Sequence, residues 1–128
     1  IGVEVDSVPS FYLTSVFNGQ LAASTHHYPG VTQAFAAMRA GKVDAVMAMR
    51  GEIDWQVQQA HDPQLALAEN AYPNMGRQRW EIGMAVHESN RQLAYAVEEA
   101  LEGLIRDGRL QAIYRHYGLR YEVPDMYQ

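Results

Sequence analysis

Cysteine is absent from the chain. That excludes disulfide staples and leaves the redox compartment open. Lysine is almost absent too: Lys42 stands alone, and the other basic residues are arginines. Acidic residues outnumber basic ones and the net charge is −5, so the basic footprint of a nucleic-acid binder is missing and no nucleic-acid partner is expected. No run approaches the ~18 apolar residues of a membrane-spanning helix. The sequence holds no G-x-S-x-G elbow, no P-loop and no dinucleotide fingerprint. An enzyme is therefore not expected, and no cofactor is implied.

Metal chemistry lacks its pattern as well. His26 and His27 are adjacent on an expected strand, so their side chains face opposite ways. His61, His87 and His116 are scattered, and no metal site is expected. The chain also has no lead-in. It starts inside what reads as a strand, without Met or signal peptide, so processing, truncation or a preceding segment is expected.

What is present is the material of one ordinary domain: 128 residues, 48% of them apolar, enough for a real core. Ile1–Val5 is a short β-branched run and reads as a strand. Ser7 is a candidate helix N-cap and Pro9 suits a first turn. The helix that follows stops near Asn18-Gly19. Ser24–Tyr28 reads as a strand ended by Pro29-Gly30. A helix carrying Val31, Phe35 and Met38 follows, closing at Gly41. Val43–Met47 is the next expected strand. Gly51–His61 is a helix, broken by Asp62-Pro63, and Leu65–Ala68 is a short strand. Ala71–Arg79 is a loop and the best internal boundary.

Ile82–Val86 reads as a strand again. Ser89 then caps a long helix whose apolar stripe is Leu93, Val97, Leu101, Leu104 and Ile105. Glu98, Glu99 and Glu102 form its wet face, and Glu102–Arg106 is an i,i+4 pair. Asp107-Gly108 ends it, and a last helix with Leu110, Ile113, Tyr114 and Tyr117 closes at Gly118. The tail is expected to be extended. Strands alternating with helices of about ten residues indicate an α/β fold with a largely parallel sheet.

Two stretches carry a family likeness. AFAAMRAGKVDAVMA, Ala34–Ala48, is a helix, a glycine and a strand opening with Val-Asp-Ala. IGMAVHESNRQLAYAVEEALEGLIRDGRLQAIYRHYGL, Ile82–Leu119, is a late strand, a long helix, Asp-Gly and an I-Y-x-x-Y-G ending. Together they resemble family 3 of the extracytoplasmic solute-binding proteins, the amino-acid-type binding components of ABC importers. The resemblance runs over the whole chain.

The resemblance implies a periplasmic-binding-protein-like α/β architecture: one complete lobe plus the C-terminal helices of the other. Residues 1–75 would be the second lobe, and 76–128 the return crossover and the end of the first. On that pattern the rest of the first lobe would lie outside this sequence. The apolar stripe after Ser89 is then expected to need a companion N-terminal half, or a domain-swapped copy, to cover it. The implied role is capture of a small solute in the periplasm, for the membrane subunits of an ABC transporter.

The likeness also implies site residues. The turn after the first strand normally presents a Gly- and Ser/Thr-rich cradle to a ligand carboxylate. Here it holds Asp6, Ser7, Val8 and Ser10. Asp6 would repel a carboxylate and Pro9 removes a donor, while Ser7 either donates its hydroxyl or serves only as a cap. After the strand Val43–Met47, family members carry an acidic residue for the ligand α-amino group. This chain has Met49 and Arg50. Met49 would offer an apolar surface or pack in the core, and Arg50 would meet an anion or sit on the surface. Asp44 matches a family Asp of structural type.

A standard amino acid is therefore not the expected ligand. Tyr72, Pro73 and Trp80 are hinge candidates, Trp80 by packing the hinge or lining the cleft. The alternative role is a non-transport accessory factor bound to a periplasmic partner protein, such as a quinoprotein dehydrogenase. An enzyme on the same scaffold is a third.

Overall fold

The structure is a computed structural model and describes residues 1–68 and 72–128. Ala71, the first residue of the expected loop, lies outside them. The described residues form a small mixed α/β protein, mostly helical. It has five α-helices and one two-stranded parallel sheet. By compactness the chain divides into Ile1–Gln78 and Arg79–Gln128.

In the N-terminal unit, strand β1 (Gly2–Glu4) is followed by helix α1 (Val8–Gly19), strand β2 (His26–Tyr28), helix α2 (Val31–Arg39) and helix α3 (Arg50–Ala60). The strands are parallel, with Gly2 opposite His26 and Glu4 opposite Tyr28. On its other side β1 meets the Val43–Met47 stretch, expected as a full strand but realised as one parallel bridge, Gly2 to Val46. Two hydrogen bonds hold it: Gly2 N–H donates to the Ala45 carbonyl at 2.8 Å, and Met47 N–H to the Gly2 carbonyl at 3.0 Å. β1 is thus the middle of three parallel rails.

The core sits between this sheet and its helices. Val3 is fully buried, with Leu13 and Val16 from α1, Val31, Ala34, Phe35 and Ala37 from α2, and Val43 packed around it. Gly2 is part of that packing. A Cβ there would stand 3.3 Å from both Tyr28 and Val43 and 3.5 Å from Ala34. A side chain at Gly2 would press on Tyr28 and Val43, on the two rails beside β1, while Ala34 of α2 would sit at ordinary contact distance.

Local chemistry explains the helix ends. Ser7 is the N-cap of α1 and Pro9 lies in its first turn, where a missing N–H costs nothing. Near its end α1 breaks: Val16 leaves the helical region, and Phe17, Asn18 and Gly19 have φ of 53°, 55° and 78°. α3 starts at Arg50, one residue earlier than the sequence suggests, and ends on His61 in the left-handed region.

The C-terminal unit contains α4 (Arg91–Arg106) and α5 (Arg109–His116). Gly108, at φ 77°, makes the turn between them. Ser89 is not the cap of α4. It lies inside a 3₁₀ turn, Glu88–Asn90, capped by His87, and Asn90 is the residue that precedes the helix. No described residue from Arg79 onward is buried.

Two expected strands are not formed. Leu65–Ala68 and Ile82–Val86 are irregular, and Ile82 is 93% exposed and Met84 62%. A strand exists only beside another strand, and neither segment has a ladder partner among the described residues. The tail is irregular up to a 3₁₀ turn at Asp125–Tyr127. No helix among the described residues is long and apolar enough to cross a membrane.

Candidate functional site

In open parallel α/β sheets ligands bind beyond the carboxyl ends of the strands, where the loops gather. In the N-terminal unit, Glu4 lies opposite Tyr28 on one side, and the Gly2–Val46 bridge fixes the register on the other. The same edge therefore collects the turn after β1 with Asp6 and Ser7, the Pro29-Gly30 turn, and Met49 and Arg50 after the third rail. Segments far apart in sequence thus follow the carboxyl ends of neighbouring rails.

Their individual states are less open than the sequence suggests. Asp6 is exposed and left-handed, at φ 56°, a conformation that a short polar side chain tolerates better than most. The Ser7 hydroxyl is committed twice. It donates to the Glu4 carbonyl at 2.6 Å and accepts the Ser10 N–H at 3.3 Å. Pro9 has no N–H and that of Ser10 is taken, so of the first three helical positions only Val8 offers a backbone donor. The Val8 side chain is 44% exposed at this end. An anion cradle of the N-terminal type needs several convergent donors, and this turn lacks them.

Ser10 does not face solvent. It is buried, and its hydroxyl lies 2.9 Å from His27 Nε2. This bond, which ties the first turn of α1 to β2, was not foreseen from the sequence. The only signal for it is that His26 and His27 alternate across the strand.

At the third rail, Arg50 Nε donates to Asp54 Oδ1 at 2.6 Å, one turn along α3. The Asp54 side chain is only 9% exposed, so this is a half-sheltered pair that engages the Nε–H of the guanidinium. Met49 is partly exposed, and its N–H donates to Glu52 Oε2 at 3.3 Å. That contact caps the start of α3 and leaves the Met49 side chain as apolar surface at the edge. Gln56 Nε2 donates to Thr32 Oγ1 at 2.9 Å and ties α3 to α2.

Of the hinge candidates, Tyr72 and Pro73 are held against α1. Tyr12 donates its hydroxyl to the Pro73 carbonyl at 2.8 Å, and its ring meets that of Tyr72 edge-on at 6.1 Å. Trp80 lies in the C-terminal unit and is 43% exposed. Among the described residues, no group of three or more His, Asp or Glu side chains is placed to hold a metal ion. No family model matches the chain, and no curated protein or solved structure matches it.

Proposed function

We propose that this chain is the second lobe, with part of the first, of an extracytoplasmic solute-binding protein of the family 3 type. It captures a small solute other than a standard amino acid in the periplasm and presents it to the membrane subunits of an ABC transporter. The observation that carries this reading is the gathering of the β1–α1 turn and the Met49–Arg50 segment at the carboxyl edge of three parallel rails. Capture by closure works because a ligand bridging two lobes favours the closed state. The edge of this lobe supplies an exposed carboxylate on Asp6, an apolar methionine and a guanidinium already paired with Asp54. Such an edge disfavours a free carboxylate on the ligand and suits a neutral or cationic solute with apolar surface.

A second reading is supported by the same commitments. With the Ser7 hydroxyl and the Arg50 Nε–H used internally, the edge offers fewer donors to a solute. A lobe of this kind also suits an accessory factor that holds a periplasmic protein partner.

A thermal-shift screen separates the two. The chain, alone and joined to a companion first-lobe segment, is screened against amino acids, polyamines, organic acids and small alcohol-derived metabolites. The solute-binding reading expects a rise in melting temperature with at least one neutral or cationic compound. It also expects that rise to shrink in Asp6→Asn. No rise with any compound, together with co-purification of a periplasmic protein, contradicts it and favours the accessory role.

A further inference from the structure

We propose that the break near the end of α1 forms a second binding site, for a neutral polyhydroxylated ring with the chemistry of a sugar. An open recess of about 380 Å³ lies there, lined by Tyr12, Ser15, Val16, Phe17, Asn18 and Asn74. That volume falls at the lower end of the range for small-ligand sites. None of the six side chains is charged. Free carboxylates, phosphates and ammonium groups would find no counter-charge in it.

The lining combines two aromatic rings with planar amides. Phe17 is 48% exposed, so its ring is available to the apolar C–H face of a sugar. Asn18 and Asn74 are exposed and have no side-chain hydrogen bond to another described residue. Each carboxamide has two donors and an acceptor, which suits vicinal hydroxyls. The Ser15 hydroxyl donates to the Phe11 carbonyl at 2.7 Å and Tyr12 to Pro73 at 2.8 Å. Both oxygens keep lone pairs to accept a ligand hydroxyl.

The backbone holds this lining at a cost. Phe17, Asn18 and Asn74 all lie in the left-handed region, at φ 53°, 55° and 60°, which disfavours a bulky residue such as phenylalanine. The contacts of Tyr12 with Tyr72 and Pro73 bring the Asn74 turn against the broken helix. The recess is separate from the carboxyl-edge site. It lies at the end of α1 opposite the Ser7 cap, so it does not depend on the solute-capture reading.

The test is saturation-transfer NMR on the full chain with methyl β-glucopyranoside, and with maltotetraose to distinguish a free sugar from a glycan end. Arginine and glutamate serve as charged competitors. The expected result is transfer to the ring C–H protons at millimolar sugar, not displaced by either charged probe. Affinity should fall about three- to tenfold in Asn18→Gly and in Asn74→Gly. Glycine keeps the left-handed backbone, and an unchanged melting temperature verifies that the fold survives. Tighter binding of maltotetraose assigns a glycan end, and equal binding a free sugar. No transfer with either sugar overturns the proposal. So does transfer that both glycine variants retain in full, or that arginine or glutamate displaces.

Discussion

Ser7 shows how one side chain is used up. Its hydroxyl gives its hydrogen to Glu4 and takes the Ser10 N–H, so it closes the turn and caps α1 in one stroke. Ser7→Ala should cost about 1 kcal/mol of stability, the ordinary worth of an N-cap, read as a lower midpoint in denaturant. Tyr121 is the opposite case. Its hydroxyl is buried with no hydrogen-bond partner among the described residues, while its ring meets Tyr114 edge-on at 5.1 Å. Removing an unsatisfied polar atom and keeping the ring relieves a desolvation cost. Tyr121→Phe should therefore leave the melting temperature unchanged or raise it. A fall would reveal a partner for that hydroxyl.

At the scale of elements, most helix ends were legible in the sequence, the Ser89 cap excepted, and strands were much less so. Ser7-Val8-Pro9, Asn18-Gly19, Asp62-Pro63 and Asp107-Gly108 each mark a boundary because capping chemistry is local. Strands depend on neighbours. Val43–Met47 has strand composition yet makes one bridge, and Ile82–Val86 has it and makes none. The candidate site followed the same rule. The turn after β1 and the Met49–Arg50 segment were named from the family resemblance, whereas the Ser10–His27 bond and the Arg50–Asp54 pair depend on packing that no local word encodes.

The turn between α4 and α5 carries a pH-dependent element. The Arg109 N–H donates to the Asp107 carboxylate at 3.0 Å and the Arg109 side chain adds a contact at 2.7 Å. The backbone bond, then the guanidinium, hold the Asp107 pKa below the ordinary carboxylate value against opposing desolvation. A carboxylate lowered on folding stabilises above its unfolded pKa, and that contribution is lost as pH falls through its folded value. The start of α5 should loosen below about pH 4, where unperturbed aspartates take up protons. NMR of the Arg109 amide through an acid titration checks this. Asp107→Asn should remove the transition, since an amide does not titrate in this range.

At the scale of the whole molecule, the two units differ in kind. The N-terminal unit surrounds Val3 with buried side chains, and its Phe35 is 5% exposed. Phe35→Ala should cost about 3 kcal/mol or more. The C-terminal unit is amphipathic but has no buried residue. Leu93 is 52% exposed and Leu101 36%, and together with Val97, Leu104 and Ile105 they form a stripe. Each such side chain is worth roughly 1.5–3 kcal/mol once buried, so covering the stripe would be favourable. Light scattering should detect concentration-dependent association of the chain, reduced in Leu93→Gln/Leu101→Gln. A monomer at all concentrations would contradict that expectation.

The N-terminal unit has a buried core around Val3 while α4 and α5 have no buried residue, and this contrast predicts a difference in local stability. Hydrogen exchange on the dilute chain tests it most directly. Amides of β1, β2 and α2 should exchange slowly, through openings near the global unfolding free energy, while those of α4 and α5 exchange far faster. Equal, strong protection of α4 and α5 in a monomer would contradict the account.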